Sequence, residues 1–533
     1  MEQAKIPYGR LKLLFFIIIL VFLFIIFRLI YIVSSKDANN IKNFYESKHN
    51  LKRADIFDRN GVLLATDLKT KSLYVSSVLV RDPKLVAKAI STSFEDLSYD
   101  DILRKITDGK HSKHWILIRR NLTPSQVEMV EKLQIAGLIF EDDLIRVYPQ
   151  KNIASHYVGY VDLDRKGLSG IEMQYDRHLM MNKNLTLAMD VRIQDILFDE
   201  LTKAKEEFRA KSASGIVMNV NNGEILGLVS LPSFDANIQS EALPEQRFNM
   251  VTNGSYELGS VMKIFTNAMA FEHNLIDLND IFYVGEPIKY GKFSIKDHDR
   301  HKPQMTVKEI FAESSNIGTI KIAEKVGIYN QKEFLGKFGF LKKVEADFPG
   351  LGRIMAPTKN WSEISLYTIS YGHGIASTPL HLALATSAIV NGGYLYKPSF
   401  LKLEEQPRLP NKLIKDETVE KMKILMRNVV VEGTGKYANI KGYEVGGKTG
   451  TADRAEMGGY NEGQTLASFV GAFPIFEPKY LVYVVFDRPN YTFNTAGMVA
   501  APVAGRVIKN IAPLLSIKAK SEEENKKTNS EKN

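Results

Sequence analysis

The longest hydrophobic stretch of the chain lies close to its N-terminus. Residues 13–33 are apolar except for Arg28, and a helix of that length would extend about 31 Å, which is the thickness of one bilayer core. Three basic residues precede the stretch, so the positive-inside rule places residues 1–12 in the cytoplasm and the rest of the chain outside. The stretch is too long for a cleavable signal peptide. The pattern therefore predicts a single-pass transmembrane helix over residues 13–33.

The remaining pattern predicts two folded regions. Residues 34–205 form a mixed α/β pattern, in which Asn60-Gly61 between apolar runs indicates a hairpin and Thr123 is placed to cap a short helix. From about residue 206, two strand-like runs around a turn at 221–223 predict a hairpin that opens a second domain. Later elements of that domain, over 206–517, are predicted as two strands and one helix, at 466–473, 480–486 and 503–515. Residues 518–533 are almost entirely polar and predict a disordered tail.

Composition excludes several classes of protein. Hydrophobic residues make up 44% of the chain and charged residues 25%, which is typical of a globular protein. The net charge of +9 is spread along the chain, so no nucleic-acid partner is expected. The absence of cysteine excludes disulfides, zinc–thiolate sites and a cysteine nucleophile.

Ser260 and Lys263 carry the first chemical signal. The serine begins an apolar helical run, and the lysine three residues later lies on the same helix face. A lysine that is desolvated in a pocket can lose its proton and act as a base for the hydroxyl. The start of a helix also offers N–H groups and a positive dipole end to an oxyanion. The spacing alone is a weak signal, because Ser399 and Lys402 share it in a strand-like run.

Two motifs further along the chain distinguish the first pair from the second. Ser314-Ser315-Asn316 is the only Ser-x-Asn sequence in the chain, and Lys448-Thr449-Gly450 is the only Lys-Thr-Gly sequence. Each alone has a structural explanation, because serine and asparagine favour helix caps and glycine clusters occur at edge strands. In this order after Ser260, the motifs resemble the Ser-x-x-Lys, Ser-x-Asn and Lys-Thr-Gly set of serine acyl-transferases that bind penicillin.

Two other chemistries are less favoured. Residues 442–449 match the phosphate-binding loop pattern, but that loop should follow a strand and begin a helix at its lysine. Here a polar loop precedes Gly442, Gly450 makes a poor helix start, and the segment lies on the predicted outer side of the membrane, where nucleotide is scarce. His298 and His301 could bind a metal ion, but their basic neighbours oppose a cation. We therefore expect no metal and no other cofactor.

The wider sequence resembles the class B penicillin-binding proteins, which are monofunctional peptidoglycan D,D-transpeptidases, and their division-specific, FtsI-type branch. The resemblance covers nearly the whole chain. One segment resembles the signature that follows the family's membrane helix, with Ala54 in place of glycine. That segment lies at residues 53–61. Segments within residues 148–175 resemble the family's N-terminal pedestal, and segments at 371–375, 433–435 and 447–452 resemble its catalytic domain.

The resemblance implies an α+β fold with three parts. These are the N-terminal transmembrane helix, an elongated mixed α/β pedestal domain of the penicillin-binding protein dimerisation type over residues 34–205, and a transpeptidase domain over residues 206–517. The transpeptidase domain is expected to have a central antiparallel sheet flanked by helices. The tail lacks the small repeated domains of some Gram-positive relatives. The expected location is therefore a Gram-negative inner membrane, with the catalytic domain in the periplasm.

The family mechanism can be carried over motif by motif. Ser260 would be the nucleophile that attacks the penultimate D-Ala carbonyl of a stem peptide, and Lys263 would take its proton. Ser314 would relay a proton to the leaving D-Ala, and Asn316 would hold the peptide amide. A side-chain amine of a neighbouring stem would then attack the acyl-enzyme and form the cross-link.

The Lys-Thr-Gly motif is expected to bind the substrate. Lys448 would keep the site electropositive, while Thr449 and Thr451, on either side of Gly450, would hold the terminal carboxylate. The oxyanion hole would be formed by the backbone N–H groups of Ser260 and Thr451.

The resemblance also implies partners and leaves alternatives open. The expected partners are peptidoglycan stem peptides, β-lactam antibiotics, other division proteins and a membrane lipid-II polymerase of the FtsW-like family, for which Arg28 is a candidate contact. The main alternative is an elongation-type transpeptidase, although that branch commonly shows Ser-x-Asp where this chain has Ser-Ser-Asn. A β-lactam sensor and a serine β-lactamase are less favoured, because this chain has one predicted membrane span and no recognisable water-activating base.

Overall fold

The computed structural model describes residues 8–34, 52–109, 115–291, 293–357, 361–456, 459–490 and 495–521. The chain forms two compact units: unit 1 comprises Met1–Arg53 and Asp67–Ile145, and unit 2 comprises Ala54–Thr66 and Arg146–Asn533. Residues 146–205 thus belong to the same compact unit as the residues that follow them. The division between a pedestal and a transpeptidase domain at residue 205 stays a prediction.

The α-helices are α1 (Tyr8–Ser34), α2 (Pro83–Ser93), α3 (Tyr99–Gly109), α4 (Pro124–Glu131), α5 (Ser155–Val158), α6 (Gly170–Gln174), α7 (Asp176–Met180), α8 (Val191–Glu207), α9 (Pro244–Arg247), α10 (Lys263–Glu272), α11 (Val307–Ala312), α12 (Asn316–Lys337), α13 (Glu363–Ser370), α14 (Pro379–Val390), α15 (Asp416–Val431) and α16 (Ala496–Ile511). Short 3-10 helices lie at Ala236–Glu241, Gly259–Met262 and Lys436–Ala438.

The strands are β1 (Ile56–Phe57), β2 (Leu63–Ser76), β3 (Trp115–Leu122), β4 (Leu138–Val147), β5 (Leu185–Thr186), β6 (Ser212–Asn219), β7 (Ile225–Leu231), β8 (Tyr256–Glu257), β9 (Ile281–Tyr283), β10 (Ile288–Tyr290), β11 (Phe293–Ile295), β12 (Gln304–Thr306), β13 (Ala376–Ser377), β14 (Gly446–Glu456), β15 (Gly459–Phe473) and β16 (Tyr480–Asp487).

Unit 1 has its own hydrophobic core. The part of β2 beyond Asp67 pairs antiparallel with β3, and the helices α2 and α3 pack against each other. Leu73 and Val75 from β2, Ile90 from α2 and Ile106 from α3 are fully buried in one cluster. Burial of these apolar side chains, at about 25 cal/mol per Å², is what holds the unit together.

The predicted cap of α4 is present in unit 1. The Thr123 hydroxyl accepts a hydrogen bond from the Gln126 N–H at 3.3 Å, and the Gln126 side chain accepts one from the Thr123 N–H at 2.9 Å. Because this capping box satisfies two N–H groups at the helix start, we expect Thr123→Ala to lower the free energy of unfolding by about 1 kcal/mol. Chemical denaturation would measure this change. Thr92→Ala provides the control, because Thr92 is exposed and its hydroxyl donates to Lys88 O at 2.8 Å without capping a helix. Equal losses of unfolding free energy in the two variants would contradict the prediction.

Unit 2 is built on a five-stranded antiparallel sheet in the order β14-β15-β16-β6-β7. Along β16, Val482, Val484 and Phe486 face one buried cluster with α8 and α16, whereas Tyr483 and Val485 face another with α10 and α14. This alternation with a period of two is that of a strand buried on both faces. The expected central antiparallel sheet flanked by helices is therefore confirmed.

Most predicted elements are confirmed within a few residues. The hairpin at Asn60-Gly61 joins β1 to the start of β2, and β6 and β7 form the hairpin that follows α8. The closing helix was predicted over 503–515, but α16 spans Ala496–Ile511 with Pro502 inside it. The predicted start at residue 503 was wrong, because the chain is already helical from Ala496. In the structure, Val499 and Ala500 are fully buried, so packing of the first turns outweighs the cost of the proline.

The sequence predicts a membrane span near the N-terminus and a disordered tail at the C-terminus. Among the residues whose backbone and side chains are both described, no helix is long and apolar enough to cross a membrane, and the span over residues 13–33 stays a prediction. At the other end, Lys520 donates its N–H to Gly442 O at 2.9 Å and its amine lies 2.7 Å from the carboxylate of Glu444. Lys520, near the start of the predicted tail, thus contacts residues 442–444 of the same unit, and residues 522–533 lie outside the described part.

Candidate active site

Close backbone packing fixes the turn that carries Ser260. The 3-10 helix Gly259–Met262 leads directly into α10, and the Gly259 N–H donates to Gly372 O at 3.2 Å. A Cβ atom on Gly259 would lie 2.4 Å from Thr451 O, and one on Gly372 would lie 1.9 Å from Gly259 O. Both glycines also have positive φ angles, +59° and +99°. Only glycine allows these approaches, which hold the half-buried Ser260 beside β14.

Lys263 is completely buried at the start of α10. Its amine donates to three acceptors: Ser314 O at 2.6 Å, Ser314 Oγ at 3.1 Å and Asn316 Oδ1 at 2.8 Å. Burial lowers the pKa of Lys263 to about 7, against a smaller raising effect from the charge of Asp297. A lysine with a pKa near neutrality can hold or release a proton at working pH, as a general base requires.

Ser314 lies in the turn between α11 and α12 and has a left-handed backbone, with φ of 62°. Thr306 and Glu309 form a capping box at the start of α11. Ser315 is the N-cap of α12, and its hydroxyl accepts from Gly318 N–H at 2.9 Å. These two caps fix both helices that flank the turn, and the turn directs the Ser314 hydroxyl and the Asn316 amide toward Lys263.

Lys448 approaches the same hydroxyl from β14. Its amine donates to Ser314 Oγ at 2.9 Å and lies 5.7 Å from the centre of the Phe311 ring. Burial first, and the charge of Lys263 second, lower the pKa of Lys448 well below its usual range. Because a hydroxyl has two lone pairs and one proton, Ser314 can accept from both lysines and still donate its own proton to a leaving group.

The rest of the Lys-Thr-Gly motif lines the same strand. The Thr449 hydroxyl lies 2.7 Å from that of Thr434. A Cβ atom on Gly450 would lie 2.7 Å from Leu258 O, so this glycine lets the Ser260 turn pack against β14. Thr451 is exposed, and its hydroxyl accepts from the Ala496 N–H at 3.2 Å. In a strand, Thr449 and Thr451 lie on the same face.

The structure brings nearly all of the predicted site residues together. Lys263 and Lys448 meet at Ser314, Asn316 completes the cluster, and Thr449 to Thr451 adjoin the nucleophile turn. The exception is the Ser260 hydroxyl, for which no hydrogen bond is present in the described part of the chain. Such contacts are often long without substrate and tighten in the reacting complex.

Asp297 contacts the site residues but is not part of any of the three motifs. Its carboxylate accepts hydrogen bonds from Ser315 Oγ at 2.7 Å and from the N–H groups of Asn316 and Ile317. No pattern indicates these contacts, which join positions up to 20 residues apart. It precedes His298 and the other residues that were considered as a metal site.

The histidines that follow Asp297 make contacts with carboxylates. His301 Nδ1 lies 2.7 Å from the carboxylate of Glu313, and His298 is exposed on the surface. Within the described ranges, no group of three or more His, Asp or Glu side chains is arranged to hold a metal ion.

The arrangement as a whole supports acyl transfer. A serine at a helix start, a buried lysine with a pKa near 7, and a hydroxyl shared by two lysines are the groups needed to form and resolve an acyl-serine. The fold and site together thus define a serine-based acyl-transferase class of protein.

Comparison with known proteins identifies the family. Residues 213–509 match the penicillin-binding protein transpeptidase domain, and residues 48–187 match the penicillin-binding protein dimerisation domain. The probable peptidoglycan D,D-transpeptidase FtsI of Caulobacter vibrioides is 35% identical over 490 residues, covering 88% of this chain and 82% of that protein. The peptidoglycan D,D-transpeptidase FtsI of Escherichia coli is 25% identical over 554 residues, covering 97% of this chain and 93% of that protein.

A solved structure agrees on the fold. A peptidoglycan synthetase from Bifidobacterium adolescentis superposes with a TM-score of 0.70 at 19% identity, covering 88% of this chain and 96% of that one. The two domain matches and the relative from Caulobacter vibrioides show that the chain belongs to the class B, FtsI-type penicillin-binding proteins, and the resemblance drawn from its motifs is confirmed.

Proposed function

We propose that this protein is a peptidoglycan D,D-transpeptidase that cross-links stem peptides through an acyl-serine and is acylated by β-lactams. The observation that carries the proposal is the convergence of the Lys263 and Lys448 amines on the Ser314 hydroxyl, at 3.1 and 2.9 Å. Two amines of lowered pKa beside one hydroxyl provide a route for a proton from the nucleophile to the leaving group.

The reaction runs in two steps. Neutral Lys263 takes the Ser260 proton as the oxygen attacks the penultimate D-Ala carbonyl, and the N–H groups of Ser260 and Thr451 stabilise the oxyanion. Ser314 donates a proton to the leaving D-Ala nitrogen. An amine of a second stem then attacks the ester, the proton returns along the same path, and Ser260 is released.

The substrate lies along β14. Thr449 and Thr451 bind its terminal carboxylate, which Lys448 attracts, and Gly450 between them allows close approach of the peptide backbone. Asn316 holds the amide of the peptide. Because the Lys448 side chain is completely buried, its attraction for the carboxylate acts in a medium of low dielectric constant, where it is stronger than in water.

The cellular role follows from the family branch. The Ser-Ser-Asn motif favours septal, division-specific synthesis over elongation, in the inner membrane with a periplasmic catalytic domain. The membrane anchor is residues 13–33, and this is supported by helix α1 and by its exposed apolar side chains, such as Phe16 at 61% and Phe24 at 68%. An FtsW-like lipid-II polymerase supplies the glycan strands.

The proposal is tested by intact mass of the full chain in detergent after addition of benzylpenicillin, followed over hours beside Ser260→Ala. We expect one stable adduct on the wild type, on the peptide that contains Ser260, and none on the variant. An adduct on Ser260→Ala would refute the nucleophile. Loss of intact penicillin without a lasting adduct would instead indicate a β-lactamase.

A further inference from the structure

Asp297 lies between β11 and β12, and its side chain is only 7% exposed. Its Oδ2 accepts from the Ser315 hydroxyl at 2.7 Å, while its Oδ1 accepts from the Asn316 N–H and from the Ile317 N–H at 3.0 Å. These donors are the N-cap and the first two residues of α12. A carboxylate at a helix N-terminus is favoured by the helix dipole as well as by its hydrogen bonds.

The turn that Asp297 contacts needs such an anchor. Ser314 has a left-handed backbone, with φ of 62°, which is unfavourable for a non-glycine residue. Such a conformation persists only where its surroundings hold it. The same turn presents Ser314 O and Asn316 Oδ1 to the Lys263 amine at 2.6 and 2.8 Å. The Ser314 hydroxyl on this turn is the third acceptor, so a displacement of the turn would change all three hydrogen bonds of Lys263.

His301 holds the Asp297 segment from the other side. Its Nδ1 lies 2.7 Å from the Glu313 carboxylate, its Nε2 lies 3.8 Å from Asp297, and its side chain is 7% exposed. Glu313 directly precedes Ser314 in the chain. The segment after β11 is thus joined to the turn at two points, one on each side of Ser314.

Asp297 also places a negative charge near Lys263. Among the described residues, Lys448 on β14 and His373 in the loop after α13 also interact electrostatically with Lys263. Burial lowers the pKa of Lys263, and the carboxylate of Asp297 opposes this shift. Removal of the carboxylate should lower the pKa of Lys263 further.

We propose that Asp297 is a positioning residue of the active site, whose carboxylate holds the Ser314–Asn316 turn in register with Lys263 and balances its charge. This inference rests on the proposed transpeptidase function. It adds a residue outside the three motifs, which acts on the reaction through Ser314, Asn316 and Lys263 rather than by contact with substrate.

The test is the pH profile of acylation of the full chain by a fluorescent penicillin, for wild type, Asp297→Asn and Asp297→Ala. In the wild type, acylation should rise with pH through about 7 as Lys263 loses its proton. Both variants should move this rise to lower pH. Asparagine keeps one oxygen that can accept the hydrogen bonds of the turn, whereas alanine keeps none. Asp297→Ala should therefore also lower the acylation rate at high pH, the plateau of the profile, by roughly 10–100-fold, as expected for a misplaced reacting group.

Asp299→Asn is the matched control, because Asp299 is an exposed carboxylate whose contact is with the exposed His298 at 3.2 Å. It should leave both the plateau and the rise unchanged. Thermal unfolding of each variant identifies any that fail to fold. Asp297→Glu restores the negative charge and should return the pH at which acylation rises toward the wild-type value. A folded Asp297→Ala with a wild-type profile would overturn the inference. Absence of acylation in the wild type would instead refute the proposed function.

Discussion

Lys263→Met should slow acylation by penicillin by roughly 10²–10⁴-fold, which is the contribution typical of a positioned general base. The amine is buried and makes all three of its hydrogen bonds within the site. Methionine fills nearly the same volume but cannot take the proton of Ser260. The rate constant of acylation by a fluorescent penicillin, measured at pH 8, would give the effect directly.

The same change should cost little stability. Two opposing effects act on the free energy of unfolding: the variant no longer buries an amine, but it leaves the acceptors of Ser314 and Asn316 without their donor, at about 1–3 kcal/mol. Burial of an amine itself costs free energy, and the methionine variant no longer bears that cost, so the two effects partly cancel. Folding and activity should therefore separate in this variant.

Two further variants test whether Lys263 acts as a base or only as a positive charge. Lys263→Arg keeps a positive charge that cannot be removed at any working pH, so it should be as slow as the methionine variant. Lys302→Met changes an exposed lysine that pairs with Glu309 and should acylate at the wild-type rate. Substantial acylation by Lys263→Arg would show that the site needs the charge and not the proton transfer.

The candidate site could be predicted to a large extent because its chemistry lies in short motifs. Ser260 and Lys263 are one helical turn apart, and local spacing alone puts them on one face. The Lys-Thr-Gly residues are consecutive in the chain, and once they form strand β14 its two-residue repeat places Thr449 and Thr451 on the same face. What the motifs could not predict is their geometry: that both lysines reach Ser314, or that Ser260 makes no hydrogen bond in the described structure.

The contacts that hold the motifs together were not predictable. Asp297 meets Ser315 across 18 residues, and an aspartate beside two histidines gives no pattern that indicates this partner. The start of α16 was missed for a related reason. Pro502 is unfavourable inside a helix, but buried residues on the packed face of α16 outweigh it, and the sequence does not reveal which face is packed.

Gly372→Ala should both destabilise unit 2 and disable the site, because the new methyl group would occupy the place of the Gly259 carbonyl. The Cβ atom would lie 1.9 Å from Gly259 O, and the residue has φ of +99°. The backbone strain costs about 1–2 kcal/mol and overpacking typically about 1–3 kcal/mol more. Relief of the clash must move the turn that carries Ser260, and a shift of about 1 Å can slow a reaction roughly 10²-fold.

Gly374→Ala is the matched control in the same loop. Gly374 also has a positive φ, of +76°, but its Cβ atom would meet nothing closer than the Thr368 hydroxyl at 3.2 Å. In chemical denaturation, Gly374→Ala should therefore lose only the unfolding free energy that corresponds to backbone strain. Its acylation rate should stay close to that of the wild type. If the two variants lose equal stability and equal acylation rate, the contact between Gly372 and Gly259 does not position the nucleophile. A larger loss in Gly372→Ala would mean that this backbone contact, and not the loop conformation alone, holds Ser260 against β14.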